Sequence, residues 1–130
     1  MNTVAMICIG LLGLLVIVLG FAVTLQRGRS NIIAGFKDDP TDTLYKLVRA
    51  HGNTTEYAPI IAILILLLGS QNPATWMVWT MGLTTAGRYL IAAGIIMSPD
   101  LNKPHPLRFI GALLTYLGGL ALCIAVFLSI

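Results

Sequence analysis

Four long apolar segments alternate with short polar ones along the chain. The first, residues 3–25, is uncharged and rich in Leu, Val, Ile and Gly, and the others cover residues 44–69, 73–97 and 106–130. An α-helix rises about 1.5 Å per residue, so about 20 apolar residues cross a hydrocarbon layer of roughly 30 Å. Each segment is therefore predicted to be a transmembrane helix.

The composition limits the chain to one membrane domain. Of its 130 residues, 57% are hydrophobic and only 10% are charged, and the mean hydropathy is +0.88, outside the balance of a soluble domain. The spans use nearly the whole length, so a single domain, residues 1–130, is predicted. The connections 70–72 and 98–105 are short, so neighbouring helices should be antiparallel. The predicted fold class is an all-α membrane protein, a four-transmembrane-helix antiparallel bundle.

The positions of the basic residues predict the orientation of the bundle. Lys and Arg flank loops 26–43 and 98–105, whereas the middle loop and both termini carry none. By the positive-inside rule, those two loops lie in the cytoplasm and both termini lie outside. The formal net charge of +3 comes from basic residues spread along an apolar chain, without a basic stripe, which excludes nucleic-acid binding.

A polar stripe runs along the first half of the second segment. At 100° per residue, Arg49, Asn53 and Glu56 lie within about 60° of one another on a helix, with Tyr57 close by. These four residues are called the polar stripe. A charged group in hydrocarbon costs several kcal/mol unless it is paired or hydrated. The polar stripe is therefore expected to face protein or a water-filled cleft.

Two interpretations of the polar stripe are open. One is a stabilising ion-pair network of Arg49, Glu56 and Arg88. The other is a site for a zwitterionic ligand, because Arg49, Arg88 and Arg108 outnumber the single carboxylate of Glu56 and leave positive charge in excess. That excess suits a ligand with carboxylates and a developing thiolate or oxyanion. No metal is expected, since the two histidines and the scattered aspartates lack metal-ligand spacing.

The segment from Arg49 to Pro59, Arg-Ala-His-Gly-Asn-Thr-Thr-Glu-Tyr-Ala-Pro, resembles a family signature. The signature is R-A-H-x-N-x-x-E-Y-x-P of the MAPEG superfamily, the membrane-associated proteins in eicosanoid and glutathione metabolism. The similarity extends to Gly87 and Arg88, to residues 107–111 and to the four-span layout. The short chain is similar to bacterial members, which implies a bacterial inner membrane protein.

The resemblance implies a left-handed four-helix bundle per subunit and a homotrimer. It also implies glutathione as co-substrate, bound between adjacent subunits toward the cytoplasm, and a lipophilic substrate that enters from the membrane lipids. Arg108, at the start of the fourth helix, is then the expected catalytic residue, since a guanidinium beside a thiol favours the nucleophilic thiolate. Arg88 is either a second electrostatic support or a structural partner of Glu56. The expected glutathione-binding residues are Arg27, Arg49, Asn53, Glu56, Tyr57 and Arg88.

Three positions depart from the pattern of many members. Ile91 and Ile95 stand where these carry His or Tyr and an aromatic hydroxyl, and Phe109 stands where some have serine. Specialised prostaglandin or leukotriene isomerase chemistry is therefore not expected.

The predicted function is a microsomal-type glutathione transferase, with peroxidase activity as a further option, that serves detoxification of lipophilic electrophiles. The alternative is a non-catalytic membrane protein that binds glutathione or lipid. A small multidrug transporter is less favoured, because arginines around Glu56 would repel a cationic drug.

Overall fold

The computed structural model describes residues 1–129 and contains four α-helices. The helices are α1 (Thr3–Ser30), α2 (Thr43–Gly69), α3 (Thr75–Met97) and α4 (Pro106–Leu128). Within this described range no residue belongs to a β-strand. The predicted all-α bundle is confirmed.

The helix limits differ from the predicted spans at four ends, and at two of them, the start of α2 at Thr43 and the end of α4 at Leu128, the difference is one or two residues. α1 continues to Ser30 rather than ending at residue 25, because polar residues can extend a helix beyond the hydrocarbon. It stops at Asn31, whose left-handed φ of 53° ends the helix and whose N–H donates to the Arg27 carbonyl. α3 begins at Thr75 rather than at residue 73. The predicted end of the last span, residue 130, lies outside the described residues.

Three helices, α1, α2 and α4, are long and apolar enough to cross a membrane. The remaining predicted span, α3, has 23 residues, as many as α4, but it carries several threonines and the buried Arg88. It packs against all three other helices, so neighbouring protein surrounds its polar groups. Across residues 1–129, the backbones of α1 and α4 do not approach each other closely, which leaves α2 and α3 as the central pair.

Hydrogen bonds between helix ends establish the antiparallel arrangement. The N–H of Asn2, before α1, donates to the carbonyl of Gly69 at the end of α2, with 2.8 Å between the atoms. At the other end, the N–H of Leu101 donates to the carbonyl of Pro40 over 3.2 Å. The two basic loops therefore lie side by side at one end of the bundle.

The loop before α2 is ordered by its own side chains. The hydroxyl of Thr41 donates to the Asp39 carboxylate at 2.7 Å, and the Thr41 backbone N–H donates to the same oxygen at 3.0 Å. These bonds, with a smaller contribution from Lys37, hold the pKa of the Asp39 carboxyl below its ordinary value. Asp42 then caps α2 by accepting from the Tyr45 N–H.

Glycines allow α3 and α4 to approach closely. A Cβ on Gly111 would lie 2.5 Å from the backbone nitrogen of Ile91 and 2.7 Å from the carbonyl oxygen of Gly87. A Cβ on Gly94 would lie 2.6 Å from the backbone nitrogen of Arg108. No side chain fits at these contacts, so the backbone of α3 determines where the start of α4 and its arginine lie.

The apolar core consists of two clusters with a polar layer between them. Along α2, Ala50 belongs to the cluster nearer the basic loops and Ala58 to the larger cluster on the other side. Along α3, Ala92 and Met81 belong to the same two clusters. Arg88 and most of the polar stripe lie between these positions and form the polar layer.

Candidate functional site

Arg88 lies at the centre of the polar layer. Its side chain is 0% exposed, and its Nη2 donates to both the carbonyl oxygen and the side-chain Oδ1 of Asn53, at 2.9 and 2.7 Å. Hydrogen bonds from a charged donor are stronger than neutral ones. These two bonds fix α2 against α3 at the level of the polar stripe.

The described residues of the polar stripe form no ion pair with Arg88. Among the residues that the structure describes, the only salt bridge joins Lys37 and Asp39 in the first loop. One of the two interpretations of the polar stripe, an ion-pair network of Arg49, Glu56 and Arg88, is therefore not found among these residues. Instead, the Nη2 of Arg88 donates to Asn53.

The charge of Arg88 is compensated by dipoles and an aromatic ring. Tyr57, one turn beyond Asn53, places its ring centroid 5.1 Å from the guanidinium carbon of Arg88, which is a cation–π contact. The Nε atom of Arg88 is buried without a hydrogen-bond partner. The site thus keeps a positive charge that would favour a nearby anion. Arg88, Asn53 and Tyr57 are called the Arg88 cluster.

Tyr116 of α4 joins the Arg88 cluster from outside. Its hydroxyl lies 3.2 Å from the hydroxyl of Tyr57, and the two rings meet edge to face with centroids 5.8 Å apart. The sequence alone suggests only packing for this tyrosine. One sequence feature could have pointed to a role for Tyr116. It follows Arg108 by eight residues, the same spacing by which Tyr57 follows Arg49.

The polar stripe divides into an inner and an outer part. Asn53 and Tyr57 are half-buried and turn toward Arg88, whereas Arg49 and Glu56 are exposed. Charged groups at the level of a membrane require a ligand, water or a second chain. Arg49 and Glu56 therefore present opposite charges on an open face beside the Arg88 cluster.

Arg108 lies at the start of α4 and is held by the loop before it. Its Nη1 donates to the carbonyl oxygens of Leu101 and Lys103 at 3.0 and 3.1 Å. The half-buried side chain lines a cleft of about 310 Å³. Ile91 and Phe109, two of the three departures from the family pattern, line the same cleft.

Arg27 lies in the last turn of α1, at the same end of the bundle. It is half-buried, and its Nε is buried without a hydrogen-bond partner. It lines a cleft of about 490 Å³ together with Thr24, Gly28, Asn31, Ile32 and Ile33. This cleft shares no lining residue with the Arg108 cleft.

The structure thus brings some of the predicted site residues together and separates others. Asn53, Tyr57 and Arg88 form one cluster, with Arg49 and Glu56 beside it, whereas Arg27 and Arg108 line two separate clefts. Over residues 1–129, no group of three or more His, Cys, Asp or Glu side chains is placed to hold a metal ion.

Comparison with known proteins identifies the family. The model of the MAPEG family matches residues 5–128, which include nearly all of the four helices. The chain belongs to the MAPEG family. The resemblance seen in residues 49–59 is confirmed, because the family match covers almost the whole length of this MAPEG protein.

Two curated relatives are inner membrane proteins. The protein named "Inner membrane protein YecN" from two strains of Escherichia coli, K12 and O6:H1, is 32% identical over 71 residues, which is 54% of this chain and 54% of the relative. The matched segment spans about half the length of these relatives. No solved structure matches the chain. Together with its apolar helices, these relationships make this MAPEG protein an integral membrane protein.

Proposed function

We propose that this MAPEG protein is a glutathione transferase that ionises the glutathione thiol for attack on lipophilic electrophiles. The observation that carries the proposal is the Arg88 cluster with Arg49 and Glu56 exposed beside it. The arrangement combines an excess of positive charge with one free carboxylate, next to a membrane-level surface. Such a site matches an anionic ligand that also carries one ammonium group.

The polar groups of glutathione find a counterpart in this site. The tripeptide has two carboxylates, one ammonium group, two amides and a thiol. Arg49 can bind a carboxylate with two parallel N–H bonds, and Glu56 can accept from the ammonium. Because the Oδ1 of Asn53 accepts from Arg88, the side-chain NH₂ of Asn53 is left to donate to a ligand amide.

The length of the polar stripe also fits a tripeptide. Tyr57 follows Arg49 by eight residues, a rise of about 12 Å along α2. Three extended α-linked residues span at most about 10–11 Å, and the γ-glutamyl linkage of glutathione adds to that length. A tripeptide whose carboxylate binds Arg49 would therefore reach almost to Tyr57.

Arg108 is the proposed activator of the thiol. The thiol proton is lost to water, and the guanidinium stabilises the remaining thiolate. The sulfur then forms a bond to the electrophilic carbon, and the displaced electron pair moves onto the leaving group or a conjugated oxygen. Both bonds of Arg108 to the loop use Nη1, so its Nε and Nη2 are left for the ligand.

A homotrimer would complete the site. In one chain, Arg108 lines a cleft that excludes the polar stripe, and Arg49 and Glu56 remain exposed. We infer that an adjacent subunit covers them and brings the arginines together, as the family resemblance implies. With the basic loops in the cytoplasm and both termini outside, glutathione would enter from the cytoplasm.

An apolar groove between α1 and α2 supports a lipophilic second substrate. The groove holds about 320 Å³ and begins at Ala58, two residues beyond Glu56. Such a groove suits an electrophile that enters sideways from the membrane lipids. Its lining residues are Ile9, Leu12, Gly13, Val16, Ile17, Ala58, Pro59 and Ala62.

The test is ultraviolet difference absorbance of the thiolate when glutathione is added to the purified, detergent-solubilised protein. The wild type should give a thiolate band, and Arg108→Ala should lose it. Arg29→Ala removes an exposed arginine at the same end of the bundle and is the matched control, which should keep the band. Conjugation of a model electrophile at the wild-type rate by Arg108→Ala would contradict the role of Arg108.

Binding of glutathione without turnover is the second candidate. The cleft beside Arg108 is lined by Ile91 and Phe109, which offer no hydroxyl to a reacting group. Isothermal calorimetry, combined with the absorbance measurement, distinguishes the two functions. Glutathione binding in calorimetry without a thiolate band in absorbance would favour this non-catalytic function.

A further inference from the structure

A pair of tyrosine hydroxyls connects α2 and α4 beside the polar stripe. The hydroxyls of Tyr57 and Tyr116 lie 3.2 Å apart, and the Tyr116 side chain is 59% exposed. Exposed tyrosines in membrane proteins usually lie at the interface, where the hydroxyl meets water. Tyr116, however, is ten residues into α4, about 15 Å along its axis. This depth is about half of the hydrocarbon thickness, so anchoring at the interface does not explain its hydroxyl.

Tyr57 is held in place on two sides. The guanidinium of Arg88 lies over its ring face, and the ring of Tyr116 packs edge to face against it. Arg88 is itself fixed by its two bonds to Asn53. The position of the Tyr57 ring is thereby fixed, and only the direction of its hydroxyl proton is left to be decided.

The partner of that hydroxyl decides what it can do. A tyrosine hydroxyl has one proton to donate and also accepts. When Tyr116 donates to the Tyr57 oxygen, the hydroxyl proton of Tyr57 is free to bond to a ligand. Because the Tyr57 hydroxyl then accepts a hydrogen bond, it becomes a stronger hydrogen-bond donor. A thiolate is an acceptor that such a donor would stabilise.

We propose that Tyr116 is a positioning residue of the glutathione site, which acts by orienting the Tyr57 hydroxyl toward the thiolate. The proposal rests on the proposed function. In glutathione bound from Arg49 to Glu56 the thiol is on the central residue, and the Tyr57 side chain tilts back toward the N-terminus of α2, to the level where that residue would lie.

The test is a pH titration of the thiolate band in detergent-solubilised protein saturated with glutathione. The variants are Tyr116→Phe, Tyr57→Phe and the double variant. Tyr89→Phe is the matched control, because it removes a tyrosine hydroxyl that donates to the carbonyl of Leu11 over 2.8 Å, away from the Tyr57–Tyr116 pair.

Tyr116→Phe should lower the thiolate fraction about fivefold at a pH below the titration midpoint, the effect of losing one neutral hydrogen bond. The midpoint should rise by about 0.7 of a pH unit, which corresponds to the same fivefold change. Tyr89→Phe should titrate like the wild type. In the Tyr57→Phe background, loss of the Tyr116 hydroxyl should have no further effect, because Tyr116 acts through Tyr57.

Each other outcome overturns the inference in a recognisable way. A wild-type titration in Tyr116→Phe refutes it while the proposed function stands. An equal effect of Tyr116→Phe with and without the Tyr57 hydroxyl shows that Tyr116 does not act through Tyr57. If Tyr116→Phe fails to assemble, the Tyr116 hydroxyl contributes to stability and not to positioning of Tyr57. If the wild type gives no thiolate band with glutathione, the proposed function fails and the inference fails with it.

Discussion

Replacement of Asn53 by leucine is expected to destabilise the folded protein more than replacement of Arg88 by methionine. Both hydrogen bonds of the Arg88 Nη2 end on Asn53, and the Arg88 side chain is 0% exposed. Asn53→Leu removes the side-chain oxygen but leaves the buried cation. Loss of a hydrogen bond to a charged group costs about 1.5–3 kcal/mol, and the charge is then left poorly compensated.

Arg88→Met and the double variant with Asn53→Leu complete a double-mutant cycle, and both of them remove the charge itself. Arg88→Met leaves the Oδ1 of Asn53 without its donor, at a cost of about 1–3 kcal/mol, but it also removes the desolvation penalty of the cation. The double variant replaces both partners by apolar side chains, which is often nearly neutral. We therefore expect the double variant to be at least as stable as Asn53→Leu alone, with a coupling free energy of about 2–3 kcal/mol.

The assay is reversible unfolding of the protein in mixed detergent micelles, followed by far-ultraviolet circular dichroism. Asn102→Leu, a change of the same type at an exposed loop position, is the control and should leave the free energy of unfolding nearly unchanged. The reasoning is refuted if the effects of Asn53→Leu and Arg88→Met simply add. It is also refuted if Asn53→Leu is the milder of the two.

Three further predictions follow from local contacts. Gly111→Ala should cost about 1–3 kcal/mol, because its Cβ meets the backbone of α3, whereas Gly119→Ala, with no atom within 4 Å, should be neutral or stabilising in the same unfolding assay. Glu56→Gln should weaken glutathione binding by about 2–3 kcal/mol in calorimetry, and an unchanged affinity would make Glu56 a structural residue. Asp42→Ala should cost about 1 kcal/mol by removing the α2 cap, and an equal loss in Asp38→Ala would argue against the cap.

The helices and the face that carries the site could be predicted from the sequence. Apolar segments of sufficient length indicate spanning helices, and the helical period places the polar stripe on one face. The hydropathy pattern missed the end of α1 at Ser30, because it detects where the hydrocarbon ends rather than where the helix ends.

The partners of the site residues could not be predicted in the same way. Asn53 and Arg88 are separated by 35 positions, and their contact depends on how α2 is aligned against α3. That alignment is determined by packing between the two helices. It cannot be read from the period of polar and apolar residues along a single helix. Tyr116 was missed for a similar reason, since a tyrosine within an apolar run resembles any other packing residue until its neighbour is known.

The attachment of Arg108 to its loop has a consequence for sequence variation. Both acceptors, at Leu101 and Lys103, are backbone carbonyls. The two hydrogen bonds that position the guanidinium therefore depend directly on the backbone path and length of the loop, and only indirectly on the side chains of the loop. Substitutions between residues 98 and 105 that preserve the backbone should be tolerated, whereas an insertion or deletion of one residue there would release the arginine. Evolution can thus vary the exposed side chains of this loop more easily than its length.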